Sequence, residues 1–111
     1  MTTNESSTMA IDIEKSQREY LRWMIMVVLN AGRPVGAAES MILSSILAIP
    51  MVVTQREIRR ELDYLENRKL VELEGRGTRP QWHARLTHHG VDLVEYTTDC
   101  LPGIARPNKW W

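Results

Sequence analysis

From Glu14 to Ala31 apolar residues recur every three or four positions. Leu21, Met24, Ile25, Val28 and Leu29 make one stripe of a first helix, and Gly32 to Pro34 terminate it. A second stripe on that helix, Tyr20, Trp23, Met26 and Val27, is more than one small core requires and points to a partner surface. Ala38 to Ile49 reads as the next helix, with Met41, Ile42, Ser45, Ile46 and Ile49 toward the core, and Pro50 to Val53 as a turn. A third helix follows Thr54. Its Ile58, Leu62, Tyr64 and Leu65 line the core face, leaving Gln55, Arg56, Arg59, Arg60, Asp63 and Asn67 outward. Thr54 and Glu57 have the spacing of a capping box, while Arg68 and Lys69 suit the negative end of the helix.

The period then drops to two. Val71, Leu73 and Gly75 alternate with Glu72 and Glu74, the run Gly75 to Pro80 has turn composition, and Trp82, Ala84 and Leu86 alternate on a returning strand. Thr87 suits the N-cap of a fourth helix reaching about Asp99, with Val91, Leu93 and Val94 as its apolar positions. The expected fold is mainly α with a small β-hairpin. A three-helix core, a wing hairpin and a C-terminal helix in this order make a winged helix-turn-helix. The expected organisation is a flexible N-terminal segment over 1–13, the folded domain over 14–99, and an extended Trp-rich arm over 100–111.

A chain of 111 residues supports one core, burying roughly 60–70% of the surface its unfolded form exposes. The polar stretch Met1 to Met9 has neither the basic start nor the apolar run of a secretory signal. Met24 to Leu29 and Met41 to Val53 are both shorter than the ~18 apolar residues of a membrane span. A soluble, cytoplasmic protein with no membrane partner is therefore expected. The one cysteine, Cys100, cannot form an internal disulfide. As a redox sensor or metal ligand it would need a neighbouring cation, and Asp99 stands beside it instead; the plain alternative is a partly buried cysteine at a helix end.

Catalytic motifs are missing: no phosphate loop, nucleophile elbow, His-Glu-x-x-His or paired-cysteine frame occurs. His88 and His89 would point about 100° apart on a helix and so do not converge on one ion. No enzyme activity, cofactor or metal is expected. Lys and Arg number 14 and Asp and Glu 14, so the net charge is zero, unusual for a dedicated nucleic-acid binder. The distribution is uneven, however. Arg56, Arg59, Arg60, Arg76, Arg79 and Arg85 fall on the third helix and hairpin, whereas Glu14, Glu19, Asp92, Glu95 and Asp99 fall on the flanking helices. Glu57 is occupied by the capping box, and Glu61 could pair with arginines of its own helix. The candidate DNA-contacting set is thus Thr54, Gln55, Arg56, Arg59 and Arg60 in the major groove, with Arg76 and Arg79 at a mobile hairpin tip reaching phosphates. The same pattern also reads as a salt-bridged, solvated helix face.

The run Leu62-Asp63-Tyr64-Leu65-Glu66-Asn67-Arg68-Lys69-Leu70-Val71, a turn, and Ala84-Arg85-Leu86-Thr87-His88-His89-Gly90 together resemble winged-helix regulators of the MarR, PadR and ArsR type. The resemblance covers roughly Glu14 to Asp99. A further resemblance, to small winged-helix proteins of Mu-like prophages, is carried by the compact size and the tail Pro102-Gly103-Ile104-Ala105-Arg106-Pro107. Such regulators dimerise through their first and last helices. The resemblance therefore implies double-stranded DNA as ligand, transcriptional or phage-like regulation as role, and a homodimer built on Trp23, Met26, Val27, Val91 and Val94. Trp110 and Trp111 end the chain in an apolar pair that either folds back over the protein or anchors a protein partner. The second possibility defines the alternative function, an interaction or assembly module that does not read DNA sequence.

Overall fold

Helix α1 (Ile13–Ala31) starts where the Asp12 carboxylate accepts a hydrogen bond from the Lys15 amide, and stops at Gly32. The computed structural model describes residues 12–48 and 52–111. Most of the segment expected to be flexible, and Ile49 and Pro50 of the expected second helix and turn, lie outside the described residues. The order continues with β1 (Ala37–Ala38), α2 (Glu39–Leu47), α3 (Gln55–Asn67), β2 (Val71–Glu74), β3 (His83–Leu86) and α4 (His88–Val94). Among the described residues this gives four helices and a three-stranded antiparallel sheet in the order β1-β3-β2. No described helix is long and apolar enough to cross a membrane.

The core is assembled from one face of each helix and the inner face of the sheet. Leu21, Ile25, Met26 and Leu29 of α1 meet Ile42 and Ile46 of α2, Ile58, Leu62 and Leu65 of α3, and Val71, Ala84, Leu86 and Leu93. Helix α3 is closed at both ends by local hydrogen bonds. The Thr54 hydroxyl accepts from the Glu57 amide while Glu57 accepts from the Thr54 amide, the reciprocal capping box. At the other end Leu70 N donates to Leu65 O and Lys69 N to Glu66 O, a Schellman closure that places Lys69 at φ 65. In the hairpin Val71 pairs with Leu86 and Leu73 with Ala84, the register that alternation implies.

Strand β1 is an addition that the pattern did not predict. Ala37 pairs with Ala84 and Ala38 with His83, so two alanines extend the hairpin into a sheet. The approach depends on Gly36, whose φ is 86 and where any Cβ would run into the Ala84 carbonyl.

Four expectations are corrected. In α2, Met41 and Ser45 face outward, and the buried stripe is Glu39, Ile42 and Ile46, because the carboxylate finds partners inside. Trp82 lies outside β3, half-buried, since its amide is held by the Glu39 carboxylate. Helix α4 ends at Val94 rather than near Asp99, because Tyr96 takes a left-handed backbone, φ 61, that stops the helix. Finally, the second stripe of α1 is mostly covered by the chain itself. Trp23 and Met26 are 9% and 0% exposed within this one chain. They are covered because the segment after α4 folds back over α1: Trp23 packs edge-to-face on Tyr96 at 6.4 Å, Ile104 is buried, and Ala105 N donates to Glu19 O. Val27, Val91 and Val94 are partly buried against the same core. Of the stripe that pointed to a partner surface, Trp23 and Met26 are thus buried within this chain, Val27 is partly buried, and Tyr20 stays 38% exposed.

Candidate nucleic-acid interface

The outward arc of α3 is shaped from beneath by two buried carboxylates. Glu39, 1% exposed, opens α2 and faces α3 and the hairpin base. Its Oε2 accepts from Arg59 Nε at 2.7 Å and from Gln55 Nε2 at 2.9 Å. Its Oε1 accepts from Arg59 Nη2 at 2.7 Å and from the Trp82 amide at 2.7 Å. A carboxylate holding this many donors favours its charged form. Chiefly through the Arg59 hydrogen bonds, and against the opposing effect of burial, its pKa is lowered from 4.5 to about 2. The same bonds raise the pKa of Arg59.

Glu61, 0% exposed, lies on the buried arc of α3, three residues after Ile58 and four before Leu65. Its Oε1 accepts from Arg22 Nε of α1 at 2.7 Å and its Oε2 from Arg60 Nε at 3.0 Å. Arg22 also stacks on Tyr64, 3.6 Å from the ring centroid, and donates to the Gly103 carbonyl. One buried charge therefore ties together α1, α3 and the C-terminal arm.

These contacts redistribute the expected DNA-contacting set. Arg56, on the first turn of α3, and Arg79, in the hairpin turn, are exposed, and their side chains make no hydrogen bond or ion pair among the described residues. Arg60 shares Glu61 with Arg22, and its side chain remains 56% exposed. Thr54 is exposed, but its hydroxyl is spent on capping. Gln55 and Arg59 do not point freely outward as expected, since both bend to Glu39, and Arg59 lies over Trp82 as well. Arg76 departs most from expectation. It is pinned back onto α3 by Asp63 and by Glu66, the latter at 2.9 Å, with its guanidinium 4.9 Å from the Trp82 ring centroid. The hairpin is therefore braced against the helix by opposite charges and an aromatic face.

The field over this surface is weak. Three arginines on α3 face four acidic residues on the same helix, and the cleft between α1 and the start of α3 is lined by Glu14 and Glu57 as well as Arg18 and Arg60. No cluster of three or more metal-ligating side chains occurs among the described residues. Cys100 is partly buried, with its thiol near the Leu101 and Ile104 carbonyls.

Sequence reasoning missed Glu39 as a core group, and for Glu61 it saw only pairing within its own helix. A signal was present for both. Glu39 is in phase with Ile42 and Ile46, and Glu61 with Ile58 and Leu65, so each carboxylate occupied an apolar position of its helix. The arm was legible only as non-helical. It folds onto its own domain through Arg68 to the Pro102 carbonyl, Arg106 to the Leu93 and Thr98 carbonyls, and Tyr96 to the Pro107 carbonyl. Trp111 reaches Tyr96 at 4.9 Å, but Trp110 and Trp111 remain 86% and 65% exposed. No family model, no curated protein and no solved structure matches this chain.

Proposed function

We propose that this chain is a winged-helix protein that binds double-stranded DNA, with α3 entering the major groove and the β2–β3 hairpin lying along the flanking backbone. The observation that carries the reading is that Arg56 and Arg79, on the first turn of α3 and in the hairpin turn, have side chains without a partner among the described residues. The order of helix, helix and hairpin supports it by placing both on the elements that such a scaffold offers to DNA. Transcriptional or phage-like regulation is the role that the family resemblance implies, and it rests on analogy alone.

With few free cations among the described residues, affinity for unselected DNA is modest and its salt dependence shallow, because the slope scales with the number of phosphates neutralised. A fluorescence-anisotropy titration against mixed duplex fragments at physiological salt should give a Kd on the order of 10⁻⁴ to 10⁻⁶ M, tightening as salt is lowered. Replacing Arg56 and Arg79 with Ala should flatten log K against log salt by about 0.9 for each phosphate that the two arginines neutralise. No binding at low salt would overturn the reading.

A second reading rests on the exposure of Trp110 and Trp111. An aromatic pair presented on an arm whose backbone is tied to the domain suits a protein-docking module. Under that reading the double Arg variant behaves as the unmodified protein does, and neither binds duplex DNA.

A further inference from the structure

We infer that Glu39 is a positioning residue that turns Arg59 and Gln55 into a paired reader of adjacent guanine and adenine bases in the major groove. The inference rests on the DNA-binding reading and adds the chemistry of the site read. Arg59 uses Nε and Nη2 on the two Glu39 oxygens, and Nη2 also donates to the Pro80 carbonyl at 3.0 Å. Both hydrogens of Nη2 are thereby occupied. Nη1 has no partner among the described residues, and the side chain is 34% exposed, so two N–H groups are left to face outward.

Gln55 is oriented by the same carboxylate. A carboxylate only accepts, so the amide nitrogen of Gln55 must face it, as observed at 2.9 Å. The Gln55 carbonyl and the second amide hydrogen remain. That acceptor–donor edge matches adenine N6–H and N7, and Arg59 Nη1, as a single nitrogen set between guanine O6 and N7, can donate one hydrogen toward each. Residues four apart on one helix face present these two edges side by side.

The bonds to the Trp82 amide and the Pro80 carbonyl extend the arrangement into the hairpin, so the reading edge and the hairpin share one rigid anchor. Side chains already held in their reading geometry lose little freedom on binding, which is where a buttressed pair gains over two mobile ones. This also accounts for a charged group at a core position of α2.

The test is selection from a random duplex pool followed by titration of the selected duplex and a scrambled one. The unmodified protein should enrich a fixed guanine–adenine step. Gln55→Ala should lose the adenine preference and Arg59→Met the guanine preference, each lowering the selected-to-scrambled affinity ratio about 10- to 100-fold. Glu39→Gln should lower the ratio at both bases, an effect that general destabilisation, acting on both duplexes alike, does not produce. If Glu39→Gln fails to fold, the other two variants, which retain Glu39, decide the matter. Duplex binding without sequence preference, or a preference unmoved in Gln55→Ala and Arg59→Met, would overturn this inference while leaving DNA binding intact. No binding of any duplex would overturn the underlying reading with it.

Discussion

Arg22 Nε lies 2.7 Å from Glu61 Oε1, joining α1 to α3 across a core in which the carboxylate is 1% exposed and the guanidinium side chain 14%. Removing one partner of such a pair leaves a charge buried without compensation, at a cost of about 3–5 kcal/mol. Arg22→Met should therefore destabilise the protein by about 3 kcal/mol in urea unfolding, tempered by the Arg60 bond that Glu61 keeps. The double variant Arg22→Met, Glu61→Leu should recover most of that loss, because two apolar groups replace two desolvated charges. A double variant as unstable as the sum of its two single variants would show that the pair does not interact as described.

Acid should act through Glu39. Its folded pKa, about 2, lies below its ordinary value of 4.5, so between these values the unfolded chain binds the proton that the folded chain refuses. Stability from this group is fully present above about pH 5, falls as the pH drops toward 2, and amounts to on the order of 3 kcal/mol. Urea midpoints followed from neutral pH downward should show this decline in the unmodified protein and a shallower one in Glu39→Gln. Parallel pH profiles for the two proteins would remove Glu39 as the cause.

Trp23 should behave as a core residue. It is buried within one chain and packs on Tyr96, so Trp23→Glu places a charge at a core position. The expected loss is at least the roughly 3–5 kcal/mol of deleting a buried aromatic side chain, seen as unfolding that does not depend on protein concentration. A folded Trp23→Glu protein differing only in oligomeric state would restore the dimer interface that the apolar stripe of α1 implies.

Gly103 should control the arm. Its φ is 114, and a Cβ added there would run into the Tyr64 hydroxyl, which accepts from Arg68. Gly103→Ala should release the arm while leaving helix content unchanged, and trypsin should then cut faster after Lys109. Adding Tyr64→Phe removes the obstructing oxygen but leaves the strain of the positive φ, so it should slow cleavage only in part. Equal cleavage rates in Gly103→Ala and the unmodified protein would mean that the arm does not depend on this close approach.

Helix α3 and the hairpin were determined by the sequence because what builds them is local. Thr54 and Glu57 cap each other three residues apart, Ile58, Leu62 and Leu65 recur at the helical period, and Val71, Leu73, Ala84 and Leu86 alternate along paired strands. Periodicity and short-range hydrogen bonds are properties of neighbours in the chain, so they survive without knowledge of the fold. The partners of the charges were decided only by the tertiary structure. Arg59 reaches Glu39 across 20 residues, Arg22 reaches Glu61 across 39, and Arg22 reaches the Gly103 carbonyl across 81. An exposed arginine and one held by a buried carboxylate look alike in a helical pattern, because the difference lies in which element packs beside them. The same holds for Trp23 and Met26: their spacing marked them as apolar, but only the return of the chain over α1 determined that they serve this domain's own core.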